Sequence, residues 1–151
     1  AAKGTDITLC HENEKGIYGD IASRCEEIHK IFPQLKAVFD PANFVQCGED
    51  TLKAYERLSP YIAYMHIKDA LPDGRVVPPG TGAGNVPQLV AKYAAQGGRV
   101  LSLEPHLTNF VGLKSLEAEG DESVVGSMHF GSNEEAFDYA ANNIKKIVEG
   151  M

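Results

Sequence analysis

The chain has 151 residues, 43% of them apolar, 8% aromatic and 23% charged, with a formal net charge of −7. This is the length and composition of one globular domain. Its scattered Lys and Arg exclude the basic clustering that nucleic-acid backbone binding requires. No apolar run approaches the roughly 20 residues of a membrane-spanning helix, so no membrane partner is expected.

The N-terminal AAKGTDIT lacks the apolar core of a signal peptide and a starting Met, which reads as a trimmed chain or a fragment. Cys10, Cys25 and Cys47 are odd in number and form no CxxC pair. They read as small, reduced, buried hydrophobes of a cytoplasmic protein.

Four short apolar runs bounded by turn residues predict buried strands: DITLCHE (6–12), LKAVFD (35–40), IAYMHIKD (62–69) and RVLSLEP (99–105). A helical pattern follows each one. Ile21, Cys25, Ile28 and Phe32 recur at helical spacing behind Asp20 as an N-cap, and Pro33 closes the segment. Leu52, Tyr55 and Leu58 follow Asp50. Val86, Leu89, Val90 and Tyr93 follow Asn85 and stop at Gly97-Gly98. Phe137, Ala141, Ile144 and Val148 form the last stripe, with a capping box from Ser132 and Glu135. The βαβαβαβα order predicts an α/β fold with a parallel sheet and right-handed crossovers. The segment 107–133 is too long for a plain connector, and predicts a lid or a subunit contact.

Side chains alternate between the faces of a strand. Glu12 therefore shares a face with Cys10 and Thr8, Asp40 with Val38, His66 with Tyr64 and Ile62, and Glu104 with Ser102 and Val100. Each run delivers one ligand-type residue near its C-terminal end, where parallel α/β folds build their sites. Three carboxylates and one imidazole suit one divalent cation, Mn²⁺, Mg²⁺ or Zn²⁺. Any one of the four taken alone also fits a turn former or a solvated strand end. The joint pattern is what carries the expectation.

The motifs HEN (11–13), FDPAN (39–43), HIKD (66–69), GTGAGN (80–85) and LSLEP (101–105) together resemble the sugar phosphate isomerase/epimerase family, over residues 6–106. The resemblance implies a xylose-isomerase-like TIM barrel, in which these motifs follow strands five to eight. Glu12, Asp40, His66 and Glu104 would then be metal ligands, with Glu12 and Glu104 also acting as acid and base on opposite sides of a substrate carbon. Asn43, Lys68 and His106 would touch substrate. A lysine near the substrate is what a hydride shift needs, and a salt bridge is the other fate open to Lys68. A solvated loop position is the other reading of His106.

The AP endonucleases of the same superfamily use extra histidines. Asn43 stands where they have one, and PDGR (72–75) lacks another, which disfavours a trinuclear phosphodiesterase. A closed barrel takes eight strands and about 250 residues. Residues 1–151 are therefore expected to form a single (βα)₄ domain, the C-terminal half of a (β/α)₈ barrel. It would pair with the missing N-terminal half or with a second subunit.

Three functions compete. The first is a metal-dependent isomerase or epimerase of a sugar or sugar phosphate, moving a proton through a metal-stabilised enediolate. The second is a lyase of the inosose dehydratase type, and the third a metal-binding fragment without turnover. PPGTGAGN (78–85) allows two readings: backbone N–H groups offered to a phosphate or sugar hydroxyl, or a turn that caps a helix. Glu14, His29 and His129 are read as surface residues.

Overall fold

A computed structural model describes residues 2, 4–108 and 128–151. Strands β1 (Cys10–Glu12), β2 (Lys36–Phe39), β3 (Ile62–Ile67) and β6 (Leu101–Leu103) form one parallel sheet in the order β1-β2-β3-β6. Helices α1 (Ala22–Ile31), α3 (Thr51–Leu58) and α4 (Val86–Ala95) pack on one side of it, and α5 (Asn133–Glu149) packs on α4. All four predicted strands and all four predicted helices are present. Short elements add to them: a helix α2 (Pro41–Gln46), an antiparallel hairpin of β4 (Asp69–Ala70) and β5 (Val76–Val77), and single 3₁₀ turns at Tyr18–Asp20 and Ser59–Tyr61. Their shortness leaves no periodicity to read. The first strand is also shorter than its apolar run: the paired register begins at Cys10↔Lys36, and Leu9 contributes only its carbonyl, which accepts the Lys36 N–H (3.0 Å).

The core lies between sheet and helices. Phe39, Met65 and Ile67 from the strands meet Tyr55, Leu58, Leu89 and Val90 from α3 and α4, all essentially inaccessible to solvent. Each such side chain contributes about 1.5–3 kcal/mol by burial. A one-residue slip would turn every strand side chain to the other face, so this apolar set fixes the parity that sends Glu12, Asp40, His66 and Glu104 the opposite way. One residue departs from the expected parity. Ile62 packs against the helix-side core, because the register shifts between Ala37 and Val38 where β2 meets the start of β3.

The helix starts follow from local chemistry. Asp50 accepts the Leu52 and Lys53 N–H groups (3.0 and 3.1 Å), and Asp40, followed by Pro41, accepts the Asn43 N–H (3.0 Å). Asp20 does not cap α1. Its carboxylate pairs with Arg24 one turn on (2.8 Å), and Glu49 accepts the Ala22 N–H instead (3.1 Å). Asn85 sits in the left-handed region (φ 55°) and spends its amide on Thr51 Oγ1 (2.9 Å).

In α5, Ser132 accepts the Glu135 N–H (3.1 Å), while Glu135 reaches the Gly131 N–H (2.7 Å), one residue before the expected partner. The buried residues of that helix are Ala136 and Ala140, whereas Phe137 and Val148 face solvent. Of the predicted stripe, Ile144 packs against the core, while Phe137 and Val148 are displaced in favour of Ala136 and Ala140, where α5 meets its neighbours closely. Of the predicted lid 107–133, residues 109–127 lie outside the described residues.

The surface reading of His29 is overturned, while the buried reading of Cys25 holds. His29 is 1% exposed: its ring stacks on Tyr61 at 5.0 Å between centroids, and its Nδ1–H donates to Leu35 O (3.1 Å). Cys25 is equally buried, and its thiol is pushed up to about 12 by burial. Cys10 and Cys47 are half-buried, and all three thiols are free.

Candidate metal centre

Glu12 ends β1, His66 lies in β3, and Asp40 and Glu104 are the first residues after β2 and β6. One donor atom from each lies within 4.8 Å of every other. His66 Nδ1 is 2.8 Å from Glu12 Oε1 and 3.4 Å from Glu104 Oε2. Asp40 and His66 are buried, and the two glutamates are half-buried.

Two like charges about 4 Å apart repel by about 4 kcal/mol at an effective dielectric of 20, so three carboxylates this close need cations. Lys68, also buried, supplies one, with Nζ 2.9 Å from Asp40 Oδ2. Burial works against charge on His66, but the Glu12 hydrogen bond and the charges of Glu12, Glu104 and Asp40 outweigh it. The imidazole pKa stands above its ordinary value. Burial, with Glu12 and Asp40 adding to it, raises the Glu104 carboxyl, against the pull of His66 and Lys68. A hard divalent cation fits this donor set. It would be held by Glu12, Asp40, His66 and Glu104.

A buried network braces the cluster. Asn13 Nδ2 donates to Asp40 O and the Asp40 N–H donates to Asn13 Oδ1, both at 2.9 Å. Asn43 Nδ2 donates to Asn13 O (2.8 Å) and to Glu14 Oε2 (3.2 Å), so Asn43 ties the end of β1 to α2. Glu14 is therefore no surface residue. Half-buried beside Lys68, it has its carboxyl raised by burial. His106, two residues past Glu104, is half-buried and in the left-handed region (φ 43°).

The backbone N–H groups of the glycine loop are bonded within the chain itself. Gly80 and Gly82 N–H groups donate to Asp69 Oδ2 (2.9 and 3.0 Å), and those of Gly84 and Ala70 to Asp69 Oδ1 (2.9 Å each). These amides serve a carboxylate of the chain itself, which overturns the phosphate-cradle reading. A buried aspartate three residues past His66 was the signal for this, since a buried carboxylate must find donors. Asn13 and Asp69 lie inside the HEN and HIKD motifs, where neither carries an expected ligand role.

Neither a family model nor a curated protein matches the chain. Among solved structures, the probable 3-DHS dehydratase AsbF of Bacillus anthracis, involved in petrobactin synthesis, aligns with TM-score 0.64 and 18% identity over 94% of this chain. A xylose isomerase domain protein of Planctomyces limnophilus aligns with TM-score 0.49 and 23% identity, over 66% of this chain and 38% of its own. The chain spans about half, 49%, of the AsbF length. Together with the sheet order, the likeness to AsbF shows the fold: an α/β arrangement of four parallel βα units that matches about half of a xylose-isomerase-like TIM barrel.

Proposed function

We propose that the chain carries the cation-holding half of a divalent-metal-dependent isomerase or epimerase acting on a sugar or sugar phosphate. The observation that carries this reading is the convergence of Glu12, Asp40, His66 and Glu104 donor atoms within 4.8 Å at the C-terminal end of a parallel sheet. A cation bound there would supply Lewis acidity, polarising a carbonyl and favouring loss of the neighbouring carbon-bound proton. Glu12 and Glu104 come from the two outer strands, β1 and β6, so they reach the centre from opposite sides. That arrangement suits removal of a proton on one side and its return on the other. Lys68 offers a buried ammonium to a substrate oxygen when it leaves Asp40. The remaining walls of the pocket would come from a complementing set of barrel units or from a second subunit.

One observation favours a second reading. The AsbF structure is that of a probable dehydratase. A lyase on this site would begin with the same proton removal and then expel hydroxide from the adjacent carbon.

Calorimetric titration with Mn²⁺, Mg²⁺ and Zn²⁺ tests the centre. One equivalent should bind, and Asp40→Asn should weaken binding at least tenfold. Absence of binding at millimolar metal would overturn the reading. Incubation of the metal-loaded protein with aldoses, ketoses and their phosphates in D₂O then tests the chemistry. Deuterium incorporation with retained mass indicates isomerisation or epimerisation, and loss of water indicates the lyase. Binding of metal without exchange of any substrate proton would leave a metal-binding unit without turnover.

A further inference from the structure

We infer that Asn13 is a positioning residue that sets the separation of Glu12 from Asp40, and thereby which divalent cation the centre accepts. The inference rests on the metal-centre reading above and adds a determinant to it. The β1–β2 ladder ends at the pair Glu12↔Val38, two residues short of Asp40. Asp40 therefore lies beyond the register that holds the strands together. The Asn13 side chain takes over where the ladder stops. Its amide engages both main-chain groups of Asp40, accepting the N–H and donating to the C=O at 2.9 Å each.

A second set of bonds closes the ring: Asn43 Nδ2 to Asn13 O (2.8 Å) and the Asn43 N–H to Asp40 Oδ1 (3.0 Å). Asn13 is 2% exposed and Asn43 1%, so water does not compete for these bonds. Asparagine meets the demand because it carries a donor and an acceptor in one plane. Aspartate loses the donor, and glutamine is one methylene too long for a site that tolerates about 0.5 Å of misplacement. Oxygen ligands lie at about 2.0–2.1 Å around Mg²⁺ and 2.3–2.6 Å around Ca²⁺, so a small change in the spacing of two carboxylates alters cation preference.

The test uses the full 151-residue chain and Co²⁺, whose visible absorption reports ligand geometry, with Mg²⁺, Mn²⁺ and Ca²⁺ as competitors. Asn13→Ala should weaken Co²⁺ binding by about 10–100-fold, shift the cobalt spectrum and change the Mg²⁺-to-Ca²⁺ affinity ratio. Tyr55→Phe, which removes a bond to Gln96 on the helix side, serves as a stability control and should leave spectrum and ratio unchanged. If Asn13→Ala does not fold, Asn13→Asp carries the test. It keeps the acceptor for the Asp40 N–H and loses the donor, and its added charge strengthens every cation alike, so spectrum and ratio are the readouts. A wild-type spectrum and ratio in the folded variant would overturn the role of Asn13 and leave the metal centre standing. Absence of any cobalt binding by the wild type would overturn the centre and the positioning role together.

Discussion

Asp69 holds the 80–84 loop by accepting three of its backbone N–H groups, beside that of Ala70, and this arrangement admits no side chain at two of the loop positions. A Cβ at Gly82 would lie 2.4 Å from Asp69 Oδ1 and 2.5 Å from Ala70 O, and one at Gly84 would lie 2.6 Å from Asp69 Oδ1. Gly82→Ala must therefore break bonds to a buried carboxylate, at a cost of about 2 kcal/mol or more. Gly48→Ala has open space around it and only a positive φ (73°) to oppose it, so about 1–2 kcal/mol is expected. Denaturant titration should rank the two in that order. Glu104→Gln should slow substrate proton exchange by about 10²–10⁴-fold in the metal-loaded protein if Glu104 is the base. Metal content must be measured alongside, and an unchanged rate at full occupancy would remove Glu104 from the chemistry.

His29 makes a pH prediction. Burial lowers its pKa, with the Lys36 charge adding to it, against the Leu35 hydrogen bond. The unfolded ring titrates near about 6.5. As pH falls below that value the unfolded chain takes up a proton that the folded chain resists, so stability present at neutral pH is lost toward the lower folded pKa. His66, raised in the metal-free fold, contributes with the opposite sign above the unfolded value, so between pH 7.5 and pH 5.5 it partly masks the effect. The comparison is therefore between wild type and His29→Gln. The difference in melting temperature between pH 7.5 and pH 5.5 should shift toward greater acid stability in the variant, and identical pH profiles would contradict the assignment.

At the scale of elements, α5 shows how tertiary packing selects a face. Its apolar residues cover more of the helix than the core accepts, and the buried positions went to Ala136 and Ala140 rather than Phe137 and Val148. Close packing explains the choice, since a large side chain at Ala140 would force the helix away from its neighbours. Ala140→Leu should cost about 1–3 kcal/mol, while Phe137→Ser should stay within about 0.5 kcal/mol of wild type. Thermal or denaturant unfolding of the two variants checks this. A larger loss for Phe137→Ser would restore the predicted stripe.

At the scale of the whole molecule, helices cover one face of the sheet, and among the described residues the other is only partly covered. Among the described residues, β1 and β6 each have a single strand neighbour, leaving two free edges. Leu9, Val100, Ile31 and Phe32 are exposed, and Cys10, Tyr64 and Ser102 on the cation side are only half-buried. Free edges beside exposed apolar side chains favour association. In solution the chain is expected to run above its 16.3 kDa in sizing with light scattering, or to bind an apolar dye at the partly covered face. A monodisperse 16.3 kDa species with a cooperative melt and no dye binding would show that the face needs no cover.

By itself the sequence determined the strand-helix order, the face on which each strand carries its ligand-type residue, and the convergence of Glu12, Asp40, His66 and Glu104. These follow from periods of 2 and 3.6 and from apolar burial, which act over a few residues and are written locally. Tertiary structure alone decided the Asn13–Asp40–Asn43 ring, the capture of the glycine loop by Asp69, the burial of His29 and the alanine face of α5. Each of these depends on which group from a distant segment arrives within about 3 Å of another, and hydrogen-bond partners 27 or 30 residues apart leave no periodic trace in the chain.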